Sequence, residues 1–141
     1  MSLRQRQHRL QLDTRGRGFH DITPTLRAWV RASGISQGLV TVFVRHTSAS
    51  LVVQENADPD VRADLERFFA RLVPDGDTLF EHVLEGADDM PAHVRAALTA
   101  TSVGIPVCEA APALGSWQAV YLYEHRQHGQ RRELFFQLIG E

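Results

Sequence analysis

The chain contains no lysine: all fifteen of its Lys/Arg positions are arginine. That absence removes Schiff-base chemistry, lysine-held pyridoxal phosphate and the Walker P-loop, each of which needs a lysine amine. A phosphate would have to be held by arginine, histidine, backbone N–H groups or a metal. Cysteine is nearly absent too. A single thiol, Cys108, excludes an intrachain disulfide framework and a cysteine-rich zinc site. In its apolar segment it is expected to be buried and inert. No apolar run approaches the roughly 20 residues of a membrane span. The charged N-terminal stretch has no apolar segment behind it, so no signal peptide is expected. A formal net charge of -2 offers no basic excess for nucleic acid or an anionic membrane. Neither a Gly-x-Gly-x-x-Gly fingerprint nor a Gly-x-Ser-x-Gly nucleophile elbow occurs. The expected setting is the cytoplasm, with no nucleic-acid and no membrane partner.

What remains is an ordinary globular composition, 43% apolar and 23% charged over 141 residues, enough for one domain with a real core. Residues 5–13 read as a polar strand with Leu10 and Leu12 on one face, and a turn at 15–18 leads to a short strand around 19–22. Thr23-Pro24 reads as a cap followed by proline at the first helical position. That helix reaches about Ser33, buries Leu26, Trp29 and Val30, and stops at Gly34. Residues 39–45, apolar and β-branched, predict a strand covered on both faces, and 51–54 continue in the same style. Asp58-Pro59 opens a helix over 59–72, with Val61, Leu65, Phe68, Phe69 and Leu72 at core spacing. A third helix is expected near 90–101 with Val94, Ala97, Leu98 and Thr101 inward, followed by a short strand at 105–108. Residues 117–126 and 131–139 predict a hairpin across His128-Gly129. Without regular βαβ alternation, the order favours a single-domain α+β fold with antiparallel sheets and about three helices.

Four clusters carry chemistry. In His46-Thr47-Ser48-Ala49-Ser50, His46 ends the apolar face of Val40, Val42 and Val44. Such an imidazole can ligate a metal, hold a phosphate or shuttle a proton, or simply cap backbone groups at a strand end. In Gln54-Glu55-Asn56-Ala57-Asp58, Glu55 and Asn56 can meet a metal or an amine, whereas Asp58 reads as an N-cap. The densest cluster, His82 and Glu85 to His93, sets two histidines and three carboxylates (Glu85, Asp88, Asp89) at the opening of a helix. Carboxylates suit Mg²⁺ and imidazoles suit zinc, although Asp88 or Asp89 can equally cap the helix. In the fourth, Gln118, Glu124 and Arg126 share a face with Val120 and Leu122. There they need a ligand, another subunit, or an arginine of the following strand.

In this order and spacing the motifs resemble the YjbQ family over residues 5–140. The matching segments include Arg17-Gly18-Phe19-His20, His46 to Leu51, Glu55-Asn56, Asp58 to Asp64, and His82 with Glu85 to His93. They continue with Gly115-Ser116-Trp117-Gln118 and Glu124-His125-Arg126. The resemblance implies an antiparallel α+β fold, usually a homotrimer. It also implies a thiamine-phosphate synthase activity, in which a pyrimidine pyrophosphate and a thiazole phosphate couple and pyrophosphate leaves. Another metal- or phosphate-dependent enzyme such as a hydrolase, or a non-catalytic metal- or small-molecule-binding trimer, is the alternative. Carried onto this chain, the expected catalytic residues are His46, Glu85, His93 and Arg126. The expected substrate contacts are Thr47, Ser48, Glu55, Trp117, Gln118 and Glu124. His46, His82, His93 and Asp89 would hold a divalent ion, Mg²⁺ or Zn²⁺, against a small phosphorylated substrate. The sequence departs from the family pattern at Glu109-Ala110, where a polar residue followed by glycine is common. Alanine takes positive φ only at a cost, so a different loop is expected there.

Overall fold

The computed structural model describes residues 2–141 and divides them between two antiparallel sheets. The strands are β1 (Arg4–Asp13), β2 (Gly18–Asp21), β3 (Gly38–Val44), β4 (Ala49–Glu55), β5 (Ser102–Cys108), β6 (Ala111–Pro112), β7 (Gln118–Glu124) and β8 (Arg131–Gly140). The helices are α1 (Thr23–Ala32), α2 (Pro59–Leu72) and α3 (Asp89–Leu98). One sheet has the order β1-β8-β3-β5-β6 and the other β2-β7-β4. Side-chain alternation sets the core between them: Val40, Val42 and Val44 of β3 and Leu134, Phe136 and Leu138 of β8 meet Leu51 of β4 and Val120 and Leu122 of β7. Leu26 and Val30 of α1 join the same cluster. No described helix is long and apolar enough to cross a membrane.

The α+β reading and the three helices hold, and several local expectations change. The predicted hairpin does not form. Both edges of β7 are taken by β2 and β4, and both edges of β8 by β1 and β3. Residues 125–130 are instead a corner that carries the chain from one sheet to the other. Gly16 lets the β1–β2 bend press against this corner: at φ 114, a Cβ there would lie 2.5 Å from the Gln127 carbonyl oxygen. Thr23 is the first helical residue and not the cap. Its amide takes the Asp21 carboxylate, while its hydroxyl accepts from Val120 N–H. Asp58 does cap α2, accepting from Asp60 N–H at 2.9 Å.

The covering of β3 is one-sided within the chain. Its outward face leaves Leu39 and Phe43 exposed, as is Ile139 beside them on β8. Cys108 is exposed, because it falls on the outward parity of β5 whereas Val107 points inward. Helix α2 buries none of its residues fully, and Phe68 is half exposed. It packs instead through polar and aromatic contacts on Tyr121 and Tyr123, whose odd-numbered positions face away from the core. Helix α3 is rotated from the expected phase. Leu98, Ala97 and Thr101 are exposed, while Asp89, Ala92, Arg95 and Ala96 are buried. The inner face of this helix holds ionic groups, which an apolar-periodicity argument assigns to solvent.

Candidate functional site

Helix α3 and the long segment before it build a compact cluster. Asp89, at the helix start and 2% exposed, receives His82 Nε2 at 2.8 Å and His93 Nε2 at 3.2 Å on its Oδ2. Asp89 and His93 are four apart, so they share one face of the helix. Arg126, leaving the β7 corner, reaches the other oxygen of Asp89 with Nη1 at 3.0 Å. Burial opposes ionisation of Asp89. The two imidazoles and Arg126 nevertheless hold its carboxyl below the usual aspartate value.

The second ring nitrogen of His93 decides the chemistry. Nδ1 lies 3.0 Å from the Thr47 carbonyl oxygen. A carbonyl only accepts, so Nδ1 carries the proton. In the neutral ring Nε2 is then a lone pair aimed at a carboxylate oxygen. Two acceptors face each other there, which requires either a second proton on the ring or a cation between them. A backbone carbonyl that fixes the tautomer of an imidazole is the usual outer support of a metal-binding histidine. The ligand atoms of His82, Asp89 and His93 all lie within 4.8 Å of one another. Two ligands on the roughly 2 Å bonds of one zinc lie up to about 4 Å apart, so the trio is of the scale of a single-ion site. Two imidazoles and one carboxylate fit zinc-class ions better than Mg²⁺, which prefers oxygen. The trio leaves coordination positions open.

Around the trio the structure is pre-ordered by ion pairs. Arg126 donates from Nε to Asp88 at 3.0 Å and from Nη2 to the Glu85 carbonyl at 3.0 Å. Gln127 donates its backbone N–H to Asp88 and its side-chain amide to Asp75, which is gripped on both oxygens by Arg17. Burial raises the Asp88 pKa, but the Arg126 bonds and Gln127 N–H outweigh it and hold the carboxyl low. Asp88 is thereby spent on Arg126 and makes no side-chain cap. Each end of Arg126 is engaged, so its part is to position Asp89. Beside this network Glu124 is fully buried, paired to Arg132 and accepting from Thr14 Oγ1 at 2.7 Å.

The other expected site residues fall in four places. Thr47 and His46 border a cavity of about 250 Å³ next to His93, with Ala96, Ala97 and Thr101 as its other walls. His46 stands outside the trio: its Nε2 accepts from Glu133 N–H at 2.8 Å, a strand-end cap. Burial first, and then Arg132, holds its pKa below the ordinary value. Ser48 accepts from Arg132, and Glu124 is buried, so both are structural within one chain. Glu85 is largely exposed, 4.0 Å from His82. Glu55, Trp117 and Gln118 lie at the far end of the three-stranded sheet. Glu55 pairs with Gln118, whereas Glu124 pairs with Ala49. Six strand positions separate the two ends, about 20 Å. A single pocket containing both Gln118 and Arg126 therefore needs a second chain.

Two polar residues escape a reading of the sequence. Arg95 is 1% exposed, donates only to the Val73 carbonyl, and its Nε and Nη1 have no protein partner among the described residues. His125 is fully buried, with Nε2 2.8 Å from Ser50 Oγ. Burial first, then Arg95 and Arg17, lowers its pKa to about 3. Neither lies in the apolar phase of its element: Arg95 is out of step with Val94, Ala97 and Leu98, and His125 falls on the face opposite Val120 and Leu122, so a solvated helix face or a strand end explains each equally well.

Fold and site together define a small two-sheet α+β protein with a His₂Asp cluster at the start of its third helix. The family model described as "UPF0047 protein YjbQ-like" matches residues 8–141. The chain is 51% identical over 140 residues to a UPF0047 protein of Synechocystis, covering 99% of this chain and 95% of that one. It is 43% identical over 136 residues to UPF0047 protein YjbQ of Escherichia coli O157:H7, covering 96% and 98%. A conserved hypothetical protein of Thermus thermophilus, solved by crystallography, aligns with a TM-score of 0.83 at 35% identity over 93% of this chain and 98% of that one. A YbjQ-like protein of unknown function from Sulfolobus solfataricus shares the fold, with a TM-score of 0.89 at 23% identity, covering 99% and 100%. The chain belongs to the YjbQ/UPF0047 family.

Proposed function

We propose that the chain is a metal-assisted transferase of the thiamine-phosphate synthase kind. In that reaction the pyrimidinylmethyl C–O bond breaks, pyrophosphate leaves with the electron pair, and the thiazole nitrogen forms the new C–N bond. The single observation that carries the metal part is His93, whose Thr47-fixed tautomer turns a lone pair toward Asp89 beside His82. The transferase part follows from the family resemblance. When bound, a divalent ion supplies a Lewis acid for anionic oxygens of the leaving group. The chain's own residues do the rest. Arg126 holds Asp89 in place, and the apolar walls beside His46 and His93 receive a ring and keep water from the reacting carbon.

A second reading, a hydrolase of phosphorylated substrates, is favoured by the trio's open positions, which suit an attacking water. Incubating the zinc- or magnesium-loaded chain with both thiamine precursors separates the two. The proposal expects thiamine phosphate from the unaltered chain and none from His93→Ala. Release of pyrophosphate without coupling selects the hydrolase. No turnover of either kind leaves a non-catalytic binding protein and overturns the proposal. A cytoplasmic homotrimer is part of the same reading: the exposed Leu39, Phe43 and Ile139 on one sheet face support an interface between copies, and the number of copies comes from the family resemblance. Sedimentation of the intact chain tests the trimer.

A further inference from the structure

A second cavity, of about 430 Å³, lies between α1 and the tip of the β5–β6 hairpin. Its floor is apolar, made by Ala28, Ala110, Ala111 and Pro112, and Arg27 and Arg31 stand along one wall. Nothing in the proposed reaction uses it, and it shares no residue with the cavities beside His82 and His93.

Three observations single it out. Arg27 and Arg31 are one helical turn apart and both exposed, a repulsive pair on an isolated helix. Neither has a carboxylate within 4.0 Å among the described residues, although six other arginines are paired in that way. The C-terminal helix dipole accounts for Arg31 but not for Arg27, a turn earlier. The two-residue turn Glu109-Ala110, which lines the cavity together with Arg27 and Arg31, is at φ 52 and 61. These are the only non-glycine residues at positive φ in the described chain, and such strain tends to persist where a wall's shape is used. Finally, charge is segregated: residues 1–45 hold eight of the fifteen arginines and only two of the seventeen acidic residues. Arg4 of that stretch donates to the Gly34 carbonyl just past the end of α1.

We infer that this groove binds a small aromatic monophosphate. Its phosphate would be taken by Arg27 and Arg31, and its ring would lie on the alanine and proline floor. Paired guanidiniums match phosphate oxygens in geometry and charge. The floor matches a flat ring. Glu109 at the rim repels a continuing phosphate chain, which disfavours nucleic acid, and it accepts from an amino group on the ring. The inference is independent of the metal trio.

The probes are adenosine monophosphate, inosine monophosphate, inorganic phosphate and a short single-stranded oligonucleotide, each titrated into the full chain and followed by backbone amide shifts. Adenosine monophosphate is expected to shift the amides of 27–31 and 109–111. Its binding should be at least tenfold tighter than that of inorganic phosphate. Arg27→Gln with Arg31→Gln, both exposed and compatible with an unchanged melting curve, should weaken it at least tenfold. Glu109→Ala, which removes the acceptor, should erase the preference over inosine monophosphate. His93→Ala should leave all of this intact. The inference is overturned by shifts confined to 46–47 and 82–93, by equal affinity in the double arginine variant, or by tighter binding of the oligonucleotide than of the nucleotide.

Discussion

Replacing Ala110 by glycine should stabilise the protein. Cys108 pairs with Ala111 across a two-residue turn, and both residues between them have positive φ, 52 at Glu109 and 61 at Ala110. Such turns are ordinarily built from asparagine, aspartate and glycine. A residue with a Cβ costs about 1–2 kcal/mol in the left-handed region. Glycine removes that cost but gives the unfolded chain more freedom, which returns about 0.4–1 kcal/mol. The net expectation is about 0.5–1 kcal/mol of added stability, or an increase of about 2–4 °C in melting temperature for a chain of this size. The backbone bond from Ala110 N–H to the Ser36 carbonyl at 3.0 Å is untouched by the change. Ala111→Gly is the control: one residue further on, in β6 and outside the positive-φ pair, it should destabilise by about 0.5–1 kcal/mol. Urea denaturation of the three proteins reads the difference. If Ala110→Gly is no more stable than the parent, or if both glycines shift stability alike, the strained-turn account fails.

Two further outcomes follow from the buried ionic groups. Glu124→Gln leaves Arg132, itself 4% exposed, without its buried partner and should cost about 3–5 kcal/mol in urea melts. Burial opposes the Glu124 charge, but Arg132 and Thr14 hold its pKa below the ordinary glutamate value. Its contribution is therefore present above about pH 4.3 and lost as pH falls through the lowered value, so the gap between parent and variant should narrow there. A constant gap down to pH 3 contradicts the pairing. His125 works over a different window. Its pKa falls to about 3 in the fold through burial, while the unfolded chain protonates near the ordinary value, about 6.5. Stability should be full above that and decline by up to about 1.4 kcal/mol per pH unit from there toward 3. His125→Phe should flatten this slope by one proton's worth, and parallel curves would refute it.

Much of the fold is legible in the sequence because short-range rules decide it. Asp58-Pro59 opens α2, alternation along Val40, Val42 and Val44 marks the inner face of β3, and Pro24 lies in the first turn of α1. The hairpin expected over 117–139 fails because pairing is a competition among distant strands. Nothing local in that stretch reveals that β2 and β4 occupy both edges of β7. The phase of α3 differs for a related reason: its buried face carries Asp89 and Arg95, and polar residues are assigned outward unless their partners are known. At the site, the dense run from His82 to His93 points to the right region. The choice of His82, Asp89 and His93 over His46 requires the Thr47 carbonyl and the Glu133 amide, which only the fold brings to those rings.

The zinc content of protein prepared without an affinity tag tests the central claim most directly. The account predicts one tightly bound zinc per chain, retained in His46→Ala and lost in His82→Ala and His93→Ala. A chain that takes up no zinc, or whose binding survives loss of His93, would contradict it.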